Sequence, residues 1–461
     1  MPRLFPFACI RIAALLVVFA SGLCQAASAG KPNAPVLLIS IDGLRPDAVT
    51  AAETHGLHVP NLRRFLTEGS YAEGVVGVVP TLTYPSHTTL VTGATPAVHG
   101  ILSNTTFDPL FRNQIGWYWY AEQQHAQTLW QAAHAKGIVT ASENWPVTVD
   151  APGIDFNLPE YWRASTPDDL LLLRALARPL GLQQTMEAQL GPWVDGNTLT
   201  VESDAVRTRF AVALLHDHHP GFFAVHLSSL DEEEHLTAPF SADSNRTLEA
   251  IDGMVGQLRE AATGANPDAI VAVVSDHGFA RTDFRTNLYG PLLRAGLLTA
   301  GTHPGPLGAP VFTDWKATLW PAGGSAAVML RDPNDTVSRD AIMKLLRELA
   351  ADPANGIDSI LTREQLKAMG GFPQAEALVV LRPPFQLGYS FSGPIVTPAP
   401  STGMHGYLPS NPEMRSSFFV VGTAVAHGHN LGLIDMRQIA PTLANVMGVS
   451  FPAEMKAVPL N

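Results

Sequence analysis

The chain has 461 residues, enough for one large α/β domain with insertions or for two domains. Its 29 Lys and Arg stand against 41 Asp and Glu, a net charge of −12 that argues against a protein gripping DNA or RNA through the phosphate backbone. Small phosphate substrates stay within reach, because bound divalent cations reverse the local sign of the field.

The N-terminal stretch reads as a secretory signal peptide over residues 1–29. Arg3 and Arg11 are followed by the apolar run Ile12 to Ala20, and Ala27-Ser28-Ala29 fits a small-x-small cleavage site. The run is well short of the ~20 residues that a membrane span needs, and Leu23 is too large for the residue before a lipidated Cys24. Cleavage after Ala29 removes two of the 29 basic residues and no acid, taking the net charge from −12 to −14. It also removes Cys9 and Cys24, the only cysteines. The mature part, residues 30–461, is therefore expected in the periplasm or secreted, with no stable membrane anchor, no disulfide and no thiolate ligand. Its stability would then come from a large core. The sequence carries no signal for an oligomeric state.

Strand-like apolar runs then end on polar residues able to ligate a metal. Pro35 to Ile41 runs into Asp42, Phe222 to Ser229 leads to Asp231 and His235, and Ala269 to Ser275 runs into Asp276-His277. Short apolar runs buried on both faces suit a parallel sheet, and ligands in such sheets bind beyond the carboxyl ends of the strands. Helical periodicity between them, as in Ser241 to Ala262, predicts a layered α/β domain. Gly301 to Pro310 reads as a loop. Residues 325 to 400 read as a smaller α+β unit, part of an insertion spanning about 280–400. It has a strand-like run at Ala326 to Leu330, a helix near Arg339 to Ala351 and a strand at Ala377 to Leu381. The Pro/Gly/Ser-rich segment Ser392 to Gly403 returns the chain to His405. A strand at Ser417 to Val421 and a helix at Met436 to Met447 complete the core.

Thr83, in Pro80-Thr-Leu-Thr-Tyr-Pro-Ser-His87, follows the apolar run Val75 to Val79. A hydroxyl at a strand end beside Asp42 and Asp276 suits a metal-activated nucleophile, since coordination lowers the pKa of an oxygen ligand. Taken alone, Thr83 is as readily a turn or N-cap residue before a helix starting near Pro85. Asp231-x3-His235 and Asp276-His277 have spacings that suit paired oxygen and nitrogen ligands. Asp231 to Glu234 reads equally well as a solvated acidic loop. His405 lies between glycines that let the backbone approach a ligand closely.

In order, Asp42-Gly-Leu-Arg-Pro46, Pro80 to His87, Val98-His-Gly-Ile101, Asp231-x3-His235, Ser275-Asp-His-Gly278 and Gly403-Met-His-Gly-Tyr407 form a combined pattern. With it, the chain resembles the nucleotide pyrophosphatase/phosphodiesterase (type I phosphodiesterase) family of the alkaline phosphatase superfamily, from about residue 35 to 450. The resemblance implies a three-layer α/β/α core with a largely parallel sheet. It implies two divalent ions, with zinc favoured by the donor set and manganese the alternative. One ion would be held by Asp42, Asp276, His277 and Thr83, the other by Asp231, His235 and His405. Thr83 would attack phosphorus to give a phospho-threonine intermediate on a small phosphodiester or nucleotide. Asn104 would donate to a non-bridging phosphate oxygen. Tyr84 would wall the substrate pocket, and Tyr161 and the Trp117 to Tyr120 cluster would offer stacking faces, with buried packing the competing role. Glu234 departs from the glycine often found before the second-site histidine, and its bulk would narrow the pocket or add a carboxylate near the leaving group. A phosphomonoesterase of the same superfamily is the rival reading, and an exported metal-binding protein without turnover a more distant one. A sulfatase lacks its C/S-x-P-x-R motif, and a serine hydrolase its G-x-S-x-G.

Overall fold

A computed structural model describes, besides Met1, residues 33–113, 116–162, 167–194, 198–301 and 311–460. Apart from Met1, the expected leader lies outside the described residues, as do residues 302–310 of the expected loop.

The central sheet has eight strands. In order across it they are His429–Asn430, Ser70–Tyr71, Phe418–Val421, Ile270–Val274, Val36–Ile41, Phe222–Leu227, Thr140–Glu143 and Phe156–Leu158. The five from Ile270–Val274 to Phe156–Leu158 are mutually parallel, and Phe418–Val421 runs antiparallel to its neighbours. Alternation along the strands builds two cores. Leu37, Ile39, Phe223, Val225, Val271 and Val273 face one side. Val36, Leu38, Phe222, Ala224, Ile270 and Ala272 face the other. The first face is covered by helices Pro60–Glu68, Val201–His218 and Ala242–Ala265, the last through Leu248, Ile251, Val255 and Leu258. The second is covered by Leu129–Ala135 and Ile439–Met447. Each large aliphatic side chain fully withdrawn from water in these layers stabilises the fold by roughly 1.5–3 kcal/mol. This is the three-layer α/β/α architecture expected.

The segment between the Ile270 and Phe418 strands carries an antiparallel sheet of its own, in the order Ala317–Ala322, Ser325–Leu330, Ala377–Leu381 and Ile357–Thr362. Helix Thr336–Ala350 packs Ile342 and Leu346 on one face, and Leu366 of helix Arg363–Met369 packs on the other. A three-stranded sheet of Phe385–Gly388, Ala280–Asn287 and Val396–Met404 lies between this segment and the core in sequence. The Pro/Gly/Ser-rich return to His405 is thus largely a strand. Its register slips between Pro398 and Thr402, which lets an edge strand carry prolines that cannot donate to the ladder.

Candidate active site

Ile270–Val274, Val36–Ile41 and Phe222–Leu227 are adjacent and parallel, so their carboxyl ends open on one edge. Asp42 leaves the middle strand, and Asp276-His277 leave one flanking strand. The other leads into helix Ser229–Thr237, where Asp231 and His235, four apart, share a face. The acidic run is therefore a helix rather than a loop, with Glu234 buried and Glu232 and Glu233 only partly so. Helix Thr83–Thr92 brings Thr83 to the same edge as its first residue. Leu82 takes the N-cap position, so the Thr83 hydroxyl is not spent on capping. His405 arrives at the end of strand Val396–Met404.

Eight predicted residues converge. Asp231 Oδ1 lies 3.9 Å from His277 Nε2 and 3.7 Å from His405 Nε2, and Asp231 Oδ2 lies 3.6 Å from His235 Nε2. His277 Nε2 is 3.5 Å from Asp42 Oδ1 and 3.0 Å from Asp276 Oδ2. Thr83 Oγ1 lies 3.5 Å from both His277 Nε2 and Asn104 Nδ2. Two groups have ligand atoms all within 4.8 Å of one another: Asp231, His235 and His405, and Asp42, Asp231 and His277. Asn104 is fixed from behind, its Oδ1 accepting from the Tyr84 backbone N–H at 2.9 Å.

The donor set fits divalent cations. Asp42 Oδ1, Asp231 Oδ1 and Asp276 Oδ2 are buried without a hydrogen-bond partner, a costly state unless a cation answers it. Burial, then the charges of Asp231 and Asp276, push the Asp42 carboxyl well above its usual range. Two of the imidazoles are preset as ligands. His405 Nδ1 donates to the Thr81 carbonyl at 3.0 Å and His235 Nδ1 to the Gly403 carbonyl at 3.2 Å. Since a carbonyl only accepts, each ring carries its proton on Nδ1 and turns the Nε2 lone pair toward Asp231. Burial, then His277 and His235, hold His405 well below the usual histidine range, in the neutral form that binds metal.

Three supporting residues had no role assigned from sequence. His226 Nδ1 donates to the Asn144 carbonyl at 3.0 Å, which leaves Nε2 as an acceptor 3.1 Å from Asp42 Oδ2, so the Asp42 carboxyl donates to it and is oriented by it. His87 Nδ1 donates to the Thr83 carbonyl at 2.8 Å and lies 3.6 Å from Asp276 Oδ2. The Gly43 N–H donates to Asp276 Oδ1 at 3.2 Å. Gly43 has φ +77°, and a Cβ there would meet the Phe279 ring at 2.7 Å, so glycine is required. A strand-borne histidine reads as core in sequence, and only the sheet register brings His226 to Asp42.

The aromatic expectations fare differently. Tyr84 and Tyr161 are buried, their rings packed on Trp117 and Trp119 at 5.2 and 4.9 Å. Both belong to the main core, so neither presents an open stacking face. Glu234 is buried, with Oε2 3.5 Å from where a Gly43 Cβ would stand. Its bulk lies against the Asp42-Gly43 turn.

The type I phosphodiesterase/nucleotide pyrophosphatase family model matches residues 36–407. The chain is 25% identical over 272 residues to human ectonucleotide pyrophosphatase/phosphodiesterase family member 1, covering 57% of this chain and 25% of that protein. It is 24% identical over 260 residues to Naja atra venom phosphodiesterase, covering 54% of this chain and 26% of that protein. The chain thus spans about a quarter of the length of these curated relatives. Among solved structures, murine ectonucleotide pyrophosphatase/phosphodiesterase 5 superposes with a TM-score of 0.64 at 18% identity, covering 91% of this chain and 97% of that one. An inactive threonine-to-alanine variant of the murine protein in complex with AMP gives a TM-score of 0.64 at 17% identity, over 92% and 97%. A match running from the first core strand through the His405 loop takes in every converging residue, and the chain belongs to the type I phosphodiesterase/nucleotide pyrophosphatase family.

Proposed function

We propose that the chain is an exported, metal-dependent phosphodiesterase/nucleotide pyrophosphatase that hydrolyses phosphodiester or pyrophosphate bonds of small substrates, not nucleic-acid polymers. We assign residues 30–461 to one catalytic domain with an insertion at about 280–400. Among the described residues no helix is long and apolar enough to cross a membrane. The observation that carries the reading is the position of the Thr83 hydroxyl, 3.5 Å from His277 Nε2 and from Asn104 Nδ2 at the edge of an unsatisfied carboxylate cluster.

Asp42, Asp276, His277 and Thr83 would hold one divalent ion and Asp231, His235 and His405 a second, with zinc favoured by this N/O donor set. Bound there, the ions would supply Lewis acidity that lowers the pKa of the Thr83 hydroxyl and offsets charge on the phosphoryl oxygens. Thr83 Oγ1 attacks phosphorus, the P–O bond to the leaving group breaks, and a phospho-threonine forms. Water then cleaves that ester and restores the hydroxyl. The Asn104 amide donates to a non-bridging oxygen as charge builds on it. His226 and His87 hold Asp42 and the Thr83 backbone in place. In the AMP complex of the related protein the replaced residue is a threonine in an inactive variant, which supports the same role for Thr83 here.

The test is Thr83→Ala in the purified protein. Turnover of an aryl phosphodiester should fall by several orders of magnitude, with an unchanged circular dichroism spectrum and most bound metal retained. Wild-type protein should lose activity in chelator. Wild-type rates in Thr83→Ala would replace the covalent route by direct attack of water. Full activity in chelator with no bound divalent ion would end the metal-dependent reading.

A further inference from the structure

A second feature adjoins the site. A cavity of about 380 Å³ opens between the segment after Asn104 and the antiparallel sheet of the inserted segment, a size suited to one small-molecule group. Phe107, Phe111, Trp320, Tyr389 and Phe391 supply most of its wall, with Thr105 at one edge. Both walls grow from site segments. Thr105 follows Asn104 directly. Trp320-Pro321 leads into Ala322, whose carbonyl presses on Gly406 so closely that a Cβ there would stand 1.7 Å from it. Gly406 follows His405, whose ligand group with Asp231 and His235 is the one that does not hold Thr83 and so would face the oxygen expelled in an in-line displacement.

One further observation restricts what the cavity takes. Among the described residues lining it there is no Lys or Arg, and Asp108 adds an acid, so the wall offers no cation to a pyrophosphate or another anion.

We propose that this cavity receives the leaving group of the substrate, and that the group it takes is an uncharged aromatic ring. The inference rests on the phosphodiesterase reading of the adjacent site and names the substrate arm for it. As Thr83 Oγ1 bonds to phosphorus, the P–O bond to the ring breaks. The leaving oxygen keeps the bonding pair and departs as an aryloxide that takes a proton from water. The aromatic wall stacks on the ring throughout.

The experiment compares methyl aryl phosphodiesters whose phenols are matched in acidity, one a neutral naphthol and one a carboxylate-bearing phenol. Metal-loaded wild-type protein should favour the naphthyl diester in kcat/KM by about tenfold or more. Tyr389→Ala and Phe107→Ala should each reduce that ratio several-fold. Tyr389 is 55% exposed, so its variant remains informative should Phe107→Ala fail to fold. Equal treatment of the two diesters by wild type, preference for the anionic one, or an unchanged ratio in Tyr389→Ala overturns the inference and leaves the phosphodiesterase reading standing. A separate arm measures, by calorimetry, binding of the uncleavable analogue in which a methylene replaces the naphthyl oxygen. If no diester is turned over, the phosphodiesterase reading fails. Analogue binding weakened by Tyr389→Ala would still support the cavity's preference, and absence of binding would overturn it.

Discussion

Asp231 stands between the two ligand groups, with Oδ1 facing both His277 and His405 and Oδ2 facing His235. Asp231→Asn keeps the shape and removes the charge. It should lower metal content at both sites, where His235→Ala should lower it at one, and cut kcat by about 100-fold or more. Metal stoichiometry that falls equally in the two variants would count against this shared position. A second prediction concerns Glu160, which burial pushes up from 4.5 to about 7 despite the opposing pull of Arg207 and the nearby Tyr84 hydroxyl. Between those values the folded state keeps a proton that the unfolded state has lost, so stability falls as pH rises from about 4.5 to 7 and levels off above. Glu160→Gln removes the titration. Its stability advantage over wild type should grow across that window toward a limit of about 3 kcal/mol. Urea denaturation at pH 5, 6, 7 and 8 measures it, and a pH-independent difference would sink the assignment.

At the scale of elements, the strands that feed the site were legible because each must be apolar on both faces, and that leaves a continuous run ending on a polar residue. The runs into Asp42 and Asp276 follow this rule. Two elements were hidden. In helix Ser229–Thr237 the acids at 232 and 233 mask the apolar face, and the burial of Glu234 against Gly43 and near Arg45 is a long-range packing event with no local signal. Strand Val396–Met404 carries Pro398 and Pro400, which argue against a strand except at a bulged edge. That strand delivers His405 to a turn at Gly406, which has φ +82° and sits against the Ala322 carbonyl. Gly406→Ala should therefore displace the turn as well as strain it. A loss of at least about 1 kcal/mol is expected from the backbone alone, with reduced metal content at the Asp231, His235 and His405 group. Calorimetric unfolding and metal analysis check it. A variant with wild-type stability and full metal content would show that the turn does not position His405.

At the scale of the whole molecule, charge decides between the two phosphoester classes. A monoester dianion brings one more charged oxygen than a diester, and that oxygen needs its own cation or donor. The protein is acidic overall, with 41 Asp and Glu against 29 Lys and Arg. The cations near the ligand cluster are already engaged. Arg45 is held by Asp47, the Phe279 carbonyl and Glu413, and Arg207 is buried against Asp204, Ser203, Ser228 and the Thr198 carbonyl. Asn104 beside Thr83 is neutral. Two divalent ions bound there would face the carboxylates of Asp42, Asp231 and Asp276, so little positive charge would be left for an extra phosphoryl oxygen. The site should therefore stabilise the singly charged diester transition state better than the more highly charged monoester one. We expect higher kcat/KM for an aryl or nucleotide phosphodiester than for the monoester of the same leaving group. Asn104→Ala should impair diester turnover by about 10–1000-fold, the range for losing one preorganised donor to a developing oxyanion. The comparison needs both substrates at equal metal loading, because metal loss would lower both rates together. A purified protein that prefers the monoester would require a cation brought to the Thr83 edge from elsewhere in the chain, and would move the assignment to a phosphomonoesterase.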